Sequence, residues 1–560
     1  MRGVERARML ALAAAATAAA ALIGWPSPAR AAITGTVRTE SGRLVGERSR
    51  WFRSVRVFKG VPYAAPPVGA LRFRAPRPPL PWRGVRRADR FGDICPQPGS
   101  ALTAGQPMSE NCLFLNIWSG ASTAGARRPV LVWIYGGAFT FGSGSDPAFN
   151  GAGLAHKGLV VVTFNYRLGP LGFLATPALS QESGHGASGN YGLLDMIAAL
   201  KWVRRNITAF GGDPHRITIA GQSAGAGSVG FLDMSPLARG LFQRAISESH
   251  QRAPRDPELR YLSTSYRMLR TAQEQGEAYA RAHGARTPAQ LRALPWQQLV
   301  AGDVVNDMSV RTGGPAKPPL FRPVVDGWVL PRGYARTYGA GLQTDVPYVS
   351  GNNRDESGAV PQTAFARLRA RTRRPTPGSP QPVVTLAQYH EAAQRKFGPM
   401  TARFLELYPA TSDEAAARQN DVRVRDNSRI SLFLWASLRA RHMKDPIYTY
   451  FWTHAPPGRG HDMRGAYHGS EINYVFDNLY ATSRPWTAAD RRIADIMSSY
   501  WVNFAATGNP NGKGVPYWPP FDPKRPVVME LGDHFGPIPI ASDPARLAFW
   551  KRYFEAQTPW

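Results

Sequence analysis

The segment HRITIAGQSAGA, residues 215–226, places a serine between two glycines in a G-x-S-x-G pattern. A β-branched, apolar run precedes Ser223 and a run of small residues follows it, which predicts a strand that turns sharply into a helix. Such a turn exposes the serine side chain, and Gly221 and Gly225 leave room for the neighbouring backbone. The segment therefore predicts a nucleophilic serine. The alternative interpretation is an ordinary serine in a glycine-rich turn.

Other apolar runs predict the sheet to which this turn belongs. Residues 191–210 carry apolar side chains at helical spacing and predict a long helix. Apolar runs alternating with helical runs are typical of an α/β fold, in which a mostly parallel sheet is covered on both faces and keeps its chemistry at the carboxyl ends of the strands. A low-complexity stretch at 371–382 predicts an exposed loop. The predicted buried strands are residues 129–137, 159–167, 215–223, 346–353 and 446–454.

The N-terminal segment predicts export of the chain. Basic residues near the start precede an apolar stretch, and an A-x-A cleavage pattern ends at Ala31. This order is typical of a secretory signal peptide over residues 1–31, which leaves a single large domain over residues 32–560. A membrane anchor is the alternative, but no later apolar run approaches the length of a membrane span. We therefore expect a secreted protein that has no membrane span.

The net charge of +29 raises the question of a nucleic-acid partner. The arginines are scattered along the chain and form no long basic block, which favours a solvated, arginine-rich surface instead. We therefore expect no nucleic acid as a partner. A positive mean potential also does not attract cationic substrates.

The chain has two cysteines, Cys95 and Cys112. An isolated pair in an exported protein favours a disulfide bond. Two free thiols are the alternative interpretation.

A nucleophilic serine needs a base, an acid that orients the base, and donors for the oxyanion. In this kind of fold the acid and then the histidine follow the serine along the chain. The glycine-rich segment at 133–144 follows a predicted strand and is suited to supply backbone donors. The acid candidates after a later strand are Asp355 and Glu356. For the base, the pattern alone leaves three histidines open, which are His454, His461 and His468.

A series of ordered motifs resembles those of the type B carboxylesterases, the family that also contains the cholinesterases and some lipases. The likeness runs over nearly all of the chain after residue 31, and the matching order of so many motifs makes it specific. The motifs are FKGVPYAAPPVGALRF (58–73), SENCLFLNIW (109–118), the block from GNYGLLDM to GQSAG (189–225), PVVDG (323–327), GNNRDE (351–356), YHGSEINYVF (467–476) and YWVNFAATGNPN (500–511).

The resemblance implies an α/β-hydrolase fold whose large insertions form an active-site gorge. It also implies a serine esterase that cleaves carboxylic esters through an acyl-enzyme, without a metal or cofactor. Cys95 and Cys112 match the family's first disulfide loop. The residues that match the family's catalytic motifs are the nucleophile Ser223, the acid Glu356, the base His468, and the backbone N–H groups of Gly137, Ala138 and Ala224 as the oxyanion hole.

Some positions depart from the family pattern. Gln222 stands where many members have glutamate, and Ser357 replaces a glycine after the acid, which affects the backbone there. No tryptophan lies between the cysteines, where cholinesterases stack the quaternary ammonium of their substrate. The neutral Gln222, the missing tryptophan and the positive charge predict a neutral or weakly anionic ester, and not a choline ester, as the substrate.

Two other functions fit the same fold. A lipase acting on longer-chain esters needs a large apolar patch around its gorge. A non-catalytic interaction domain usually lacks a triad residue, whereas this chain keeps the serine, the glutamate and the histidine. The sequence therefore favours a monomeric esterase for small-molecule substrates, with pocket walls drawn from residues 303–322 and 355–385.

Overall fold

The computed structural model describes residues 35–99, 103–260, 266–302, 304–310, 317–356, 359 and 385–560. The predicted signal peptide at 1–31, the loop at 371–382, Ser357 and parts of both predicted pocket walls lie outside the described residues.

An eleven-stranded sheet forms the centre of the fold, in the order β16-β15-β14-β13-β10-β9-β7-β8-β6-β4-β3. The pairs from β15 to β8 in this order are parallel, and the pairs at both edges are antiparallel. The short strands β1, β2 and β5 form a second sheet, and β11 pairs with β12. The strands are β1 (Thr36–Thr39), β2 (Gly42–Val45), β3 (Glu47–Arg48), β4 (Arg56–Pro62), β5 (Val85–Arg87), β6 (Phe114–Ser119), β7 (Arg128–Ile134), β8 (Val160–Phe164), β9 (Gly212–Gln222), β10 (Arg244–Glu248), β11 (Arg267–Met268), β12 (Val324–Val325), β13 (Tyr348–Asn353), β14 (Ile447–Trp452), β15 (Val527–Leu531) and β16 (Gly536–Pro539).

Helices connect the parallel strands and flank the sheet. The helix predicted at 191–210 is confirmed as α4, which a 3₁₀ turn extends to Phe210. The helices are α1 (Ala152–His156), α2 (Gly169–Phe173), α3 (Pro177–Glu182), α4 (Tyr191–Asn206), α5 (Ala224–Met234), α6 (Leu269–Ala282), α7 (Pro288–Ala293), α8 (Trp296–Leu299), α9 (Tyr334–Gly339), α10 (Leu386–Phe397), α11 (Thr401–Leu407), α12 (Asp413–Ala440), α13 (His461–Arg464), α14 (Ile472–Val475), α15 (Ala488–Thr507) and α16 (Pro544–Glu555).

The predicted strands are confirmed, with shifted ends. The strand predicted at 129–137 ends at Ile134 in the structure, because the chain leaves the sheet at Tyr135 and bends at Gly137. Strand β9 starts three residues before the predicted 215–223 and stops at Gln222, so that Ser223 itself leaves the sheet. Both differences concern the ends of strands, where hydrophobic patterning carries little information.

The parallel centre of the sheet brings the predicted site residues to one edge. Strands β14, β13, β10, β9 and β7 are neighbours and run in the same direction. Strand β14 leads to the loop that carries His468, and β13 leads to Glu356. Strand β10 leads to Ser249, β9 to Ser223, and β7 to the loop at 135–144. The fold therefore places the candidate acid, base, nucleophile and donors along the edge where α/β sheets hold their ligands.

The structure joins Cys95 to Cys112 by a disulfide that closes a loop with a sequence separation of 17. Both cysteines are buried in the main core. A loop of this length stabilises the fold by about 3 kcal/mol in the chain-entropy account. In the described part of the chain, no helix is both long and apolar enough to cross a bilayer.

Candidate active site

Ser223 sits in a strained turn between β9 and α5. Its φ of 60° and ψ of −124° are rare for a residue with a side chain, and such strain is typically stored at functional sites. Hydrogen bonds hold the turn on both sides: Ser223 N–H donates to the Glu248 carbonyl at 2.9 Å, and Gly227 N–H donates to the Ser223 carbonyl at 2.9 Å. The side chain of Ser223 remains half-buried at the edge of the sheet.

The two glycines of the G-x-S-x-G pattern are required by close packing. A Cβ on Gly225 would lie 1.9 Å from the Ile134 carbonyl oxygen, and one on Gly221 would lie 2.6 Å from the same atom. These distances are far below van der Waals contact, so any side chain would displace the end of β7. The backbone geometry therefore agrees with the sharp strand-to-helix turn that the pattern predicts.

Glu356 and His468 form a close pair beside this turn. The imidazole Nδ1 donates to Oε2 of Glu356 at 2.5 Å, and the Asn353 backbone N–H donates to Oε1 at 2.8 Å. The Glu356 side chain is 6% exposed and the His468 side chain 45% exposed, so the acid is buried and the imidazole reaches solvent. The carboxylate therefore fixes the ring with its Nε2 atom directed away from the acid.

The contact between Glu356 and His468 favours a lower pKa for the acid and a higher pKa for the imidazole. The acid is then charged and the imidazole is a stronger base. Burial opposes the charge of Glu356, but the bond from His468, the Asn353 N–H and the Arg252 charge together lower its pKa. Burial likewise opposes the charge on His468, but Glu356 and the nearby Glu471 raise its pKa. Glu356 is thus ionised at neutral pH and stabilises a proton on the imidazole.

The outer nitrogen of His468 contacts Gln222. The two Nε2 atoms are 3.2 Å apart, and because Nδ1 carries the proton shared with Glu356, the amide donates to the free lone pair of the imidazole. None of the hydrogen bonds among the described residues joins the Ser223 hydroxyl to His468. The structure therefore brings His468 to the residue adjacent to Ser223. Catalytic hydrogen bonds often form only in the substrate complex.

The alternative acid and bases have other partners. Both ring nitrogens of His454 bind carboxylates, Asp490 at 2.9 Å and Asp533 at 2.6 Å. His461 is exposed and is the first residue of the short helix α13. Asp355 pairs with Arg425 at 2.7 Å and accepts from the Ala466 N–H. These contacts separate Asp355 and His454 from the pair formed by Glu356 and His468.

The predicted donor loop lies against Ser223. Consecutive positive φ values at Gly137 (102°), Ala138 (57°) and Phe139 (61°) turn the backbone sharply. A Cβ on Gly136 would lie 2.9 Å from the Cβ of Ser223, which shows how closely the loop approaches the serine. Among the described hydrogen bonds, none uses the backbone N–H of Gly137, Ala138 or Ala224. These donors are free for a ligand.

Asn353 is a further residue of the site, and the sequence motifs alone do not indicate it. Its backbone holds Glu356, while its side chain donates to the Tyr467 carbonyl at 2.8 Å and to Glu471 at 2.5 Å. Asn353 thus ties the acid to the histidine loop. The available signal was an asparagine at the end of a buried strand, directly before the acidic motif.

A cavity of about 150 Å³ adjoins the donor loop. Gln97 of the disulfide loop lines it and also binds Gly142 through both of its amide atoms. Tyr279, His283 and Phe321 line the other side. The described lining contains no lysine, arginine, aspartate or glutamate. In the described part of the chain, no group of three or more His, Cys, Asp or Glu residues is arranged to hold a metal ion.

Comparison with known proteins assigns the chain to a family. The sequence profile of the Carboxylesterase family matches residues 34–550. The fumonisin B1 esterase of Sphingopyxis macrogoltabida is 37% identical over 517 residues, which cover 89% of this chain and 86% of that protein. The para-nitrobenzyl esterase of Bacillus subtilis (strain 168) is 32% identical over 523 residues, which cover 91% of this chain and 96% of that protein.

Solved structures give the same result. A Geobacillus stearothermophilus carboxylesterase superimposes with a TM-score of 0.70 at 32% identity, and covers 92% of this chain and 100% of its own. A para-nitrobenzyl esterase structure gives a TM-score of 0.68 at 31% identity, over 89% of this chain and 96% of that one. The chain belongs to the carboxylesterase family and is a carboxylic-ester hydrolase with the α/β-hydrolase fold.

Proposed function

We propose that Ser223, His468 and Glu356 form the catalytic triad that hydrolyses the ester. The observation that carries this proposal is the 2.5 Å bond between Glu356 and the His468 imidazole, whose other nitrogen reaches the residue next to the strained Ser223. A nucleophile, a base and a buried acid in this order are what acyl transfer requires.

The reaction starts when the Ser223 hydroxyl replaces the Gln222 amide at Nε2 of His468. Exchanging one hydrogen bond for another costs little, since a single bond contributes only about 1 kcal/mol net. His468 then takes the hydroxyl proton as Oγ attacks the ester carbonyl, and Glu356 stabilises the imidazolium that forms. The tetrahedral oxyanion accepts hydrogen bonds from the backbone N–H groups of Gly137, Ala138 and Ala224.

Collapse of this intermediate breaks the ester bond. His468 gives its proton to the departing alcohol, which leaves the acyl group on Ser223. Water then attacks the acyl-enzyme, with His468 again as the base, and releases the acid. The proton taken from Ser223 leaves with the alcohol, and the attacking water supplies, through His468, the proton that restores the Ser223 hydroxyl, so the cycle needs no metal or cofactor.

A fluorophosphonate probe tests the triad directly. The Ser223 oxygen is expected to displace fluoride and form one phosphonyl ester per chain, located by fragmentation of the labelled peptide in a mass spectrometer. His468→Gln is expected to slow labelling at least 100-fold, because the base activates the nucleophile. Label on a different residue, or labelling that is independent of His468, would contradict the proposed triad.

The preferred substrate is a neutral or weakly anionic ester. Gln222 presents a neutral amide beside His468, where a carboxylate would favour a cation. The cavity beside the donor loop has an uncharged described lining apart from the titratable His283, and the net charge of +29 repels cations over the whole surface. A relative is named for para-nitrobenzyl esters, whose alcohol is neutral.

Two butyrate esters separate these substrate classes. The kcat/KM for p-nitrophenyl butyrate is expected to exceed that for butyrylcholine by at least about tenfold, since the neutral Gln222 and the positive net charge do not favour the quaternary ammonium. The uncharged 3,3-dimethylbutyl butyrate serves as the control for the shape of choline. Faster hydrolysis of butyrylcholine than of either neutral ester would refute this preference.

The protein acts outside the cytoplasm as a monomer. A signal peptide over residues 1–31 precedes one domain over residues 32–560, and the family match begins at residue 34. The buried Cys95–Cys112 disulfide supports export, because such bonds persist in oxidising compartments. The partner is a small-molecule ester and not nucleic acid.

A further inference from the structure

Two buried glutamates, Glu248 and Glu471, lie behind the proposed triad and have no role in the steps above. Both side chains are fully buried, with 0% exposure. Oε1 of Glu248 accepts from the indole N–H of Trp501 at 2.9 Å, and Oε2 of Glu471 accepts from the Asn353 side chain at 2.5 Å. Each carboxyl group thus has one oxygen with a partner.

The remaining oxygens have no hydrogen-bond partner among the residues that the structure describes. Oε2 of Glu248 and Oε1 of Glu471 are both buried and unpaired, as is the hydroxyl of Tyr450. A buried polar atom without a partner typically costs about 1–3 kcal/mol, so three in one region need a chemical explanation.

The sheet register places Glu248 and Tyr450 together, and Asn353, two residues after Gly351 on the same strand, holds Glu471 on the same face. Glu248 pairs with Gly351 and Gly351 with Tyr450, so the three residues form one row across β10, β13 and β14 and share a face. The Tyr450 ring fills the space that a side chain on Gly351 would occupy, with ring atoms 2.3 Å from that Cβ position. Trp501 of α15 covers the Glu248 carboxyl on this face.

The charges also act on one another. Burial and the neighbouring Glu471 raise the pKa of Glu248 well above its usual range. Burial raises the pKa of Glu471 to about 7, against the hydrogen bond from Asn353 and with a further contribution from Glu356. Burial, together with the charges of Glu248, Glu471 and Glu356, raises the pKa of Tyr450. Two like carboxylates in such a site cannot both ionise at neutral pH.

We propose that Glu248 and Glu471 share one proton, and that the single negative charge they keep controls the pH at which His468 can act as a base. The proton satisfies the unpaired oxygens and removes the repulsion between the two groups. The Asn353 side chain donates both to Glu471 and to the carbonyl of Tyr467, the residue before His468, and so holds the remaining charge close to the histidine loop.

The charged groups around His468 determine the direction in which Glu248 and Glu471 shift the pH dependence of this base. Glu356 and Glu471 raise the pKa of His468, whereas Arg252 lowers it. Glu248 acts on His468 through Glu471, its charged neighbour. Both glutamates are therefore positioning residues that touch neither the substrate nor the reacting atoms.

Two single substitutions are expected to shift activity in opposite directions. Glu471→Gln removes the negative charge near His468. The acid limb, which is the fall in kcat/KM at low pH as His468 becomes protonated, therefore moves to lower pH by roughly 0.5–1 unit. Glu248→Gln removes the like-charged neighbour, so Glu471 ionises fully and the acid limb moves to higher pH. The readout is kcat/KM for a neutral butyrate ester between pH 5 and 9, with acid release followed by titration at constant pH.

The exposed Glu555 supplies the matched control. Glu555→Gln makes the same chemical change at the end of α16 and is expected to leave the limb unchanged. Equal shifts in both pair variants, or no shift in either, would overturn the proposal. If a variant fails to fold, infrared spectra of the wild-type protein with ¹³C-labelled glutamate decide the question. A protonated glutamate carboxyl band at pH 7 is expected, and its absence would overturn the proposal.

The shared-proton proposal rests on the proposed role of His468 as the base, but different results would contradict each of the two proposals. A wild-type profile without an acid limb, or one that His468→Gln leaves intact, counts against the triad. A normal limb that neither pair variant moves counts against the shared proton alone.

Discussion

Replacing Ser223 by alanine is expected to lower kcat for p-nitrophenyl butyrate by about 10⁶-fold, because the change removes the atom that forms the acyl-enzyme. Binding should change little, so KM stays within a few fold. A residual rate above that in water is expected from the free N–H groups of Gly137 and Ala138. The measurement is steady-state kinetics, together with the loss of the initial burst of nitrophenol.

Stability separates this result from unfolding. Alanine keeps the Cβ of serine, so the strained backbone at φ 60° is preserved and the melting temperature should stay within about 2 °C. Ser437→Ala is the matched control, since its hydroxyl only bonds the Phe433 carbonyl within α12. Activity of Ser223→Ala within tenfold of wild type would assign the nucleophile to another residue.

The strand, the turn and the nucleophile could be predicted from residues 215–226 because the information there is local. Buried strands need apolar side chains, and the close approach of Gly225 to Ile134 admits no side chain. Patterning of this kind does not depend on knowing the rest of the fold. The ends of β7 and β9 were less well predicted, since glycines that leave a strand look like glycines within one.

The base could not be chosen from the residues alone. His454, His461 and His468 share one loop region, and the resemblance to the family decided between them. The structure explains this limit, because the contacts that distinguish the histidines span long stretches of chain. His454 meets Asp533 across 79 residues, and His468 meets Glu356 across 112 and Gln222 across 246.

The buried pair of Glu248 and Glu471 was also beyond sequence reasoning. Glutamate is ordinarily a surface residue, and neither sequence neighbourhood indicates that its side chain is fully buried. The row formed by Glu248, Gly351 and Tyr450, and the bond from Asn353 to Glu471, become apparent only in the folded structure. Long-range register, and not local pattern, therefore decides which acidic residues influence the base.

Replacing Glu356 by glutamine is expected to lower kcat by about 10⁴-fold, although the side chain keeps its size. The Asn353 backbone N–H, which donates at 2.8 Å, requires an acceptor and so fixes the glutamine oxygen at the Oε1 position. The amide NH₂ group then faces Nδ1 of His468, where the carboxylate oxygen stood at 2.5 Å. Two donors cannot face each other, so the imidazole proton moves to Nε2.

An imidazole protonated at Nε2 cannot accept the Ser223 proton, which is why this conservative change has so large an effect. It should also slow the fluorophosphonate reaction by a similar factor, because both reactions need the same base. The measurements are kcat, KM and the labelling rate, with the melting temperature as a check on folding. Glu555→Gln again controls for loss of a carboxylate. A decrease in kcat smaller than tenfold would mean that Glu356 does not set the imidazole tautomer, and the acid would have to be sought elsewhere at the carboxyl ends of the strands.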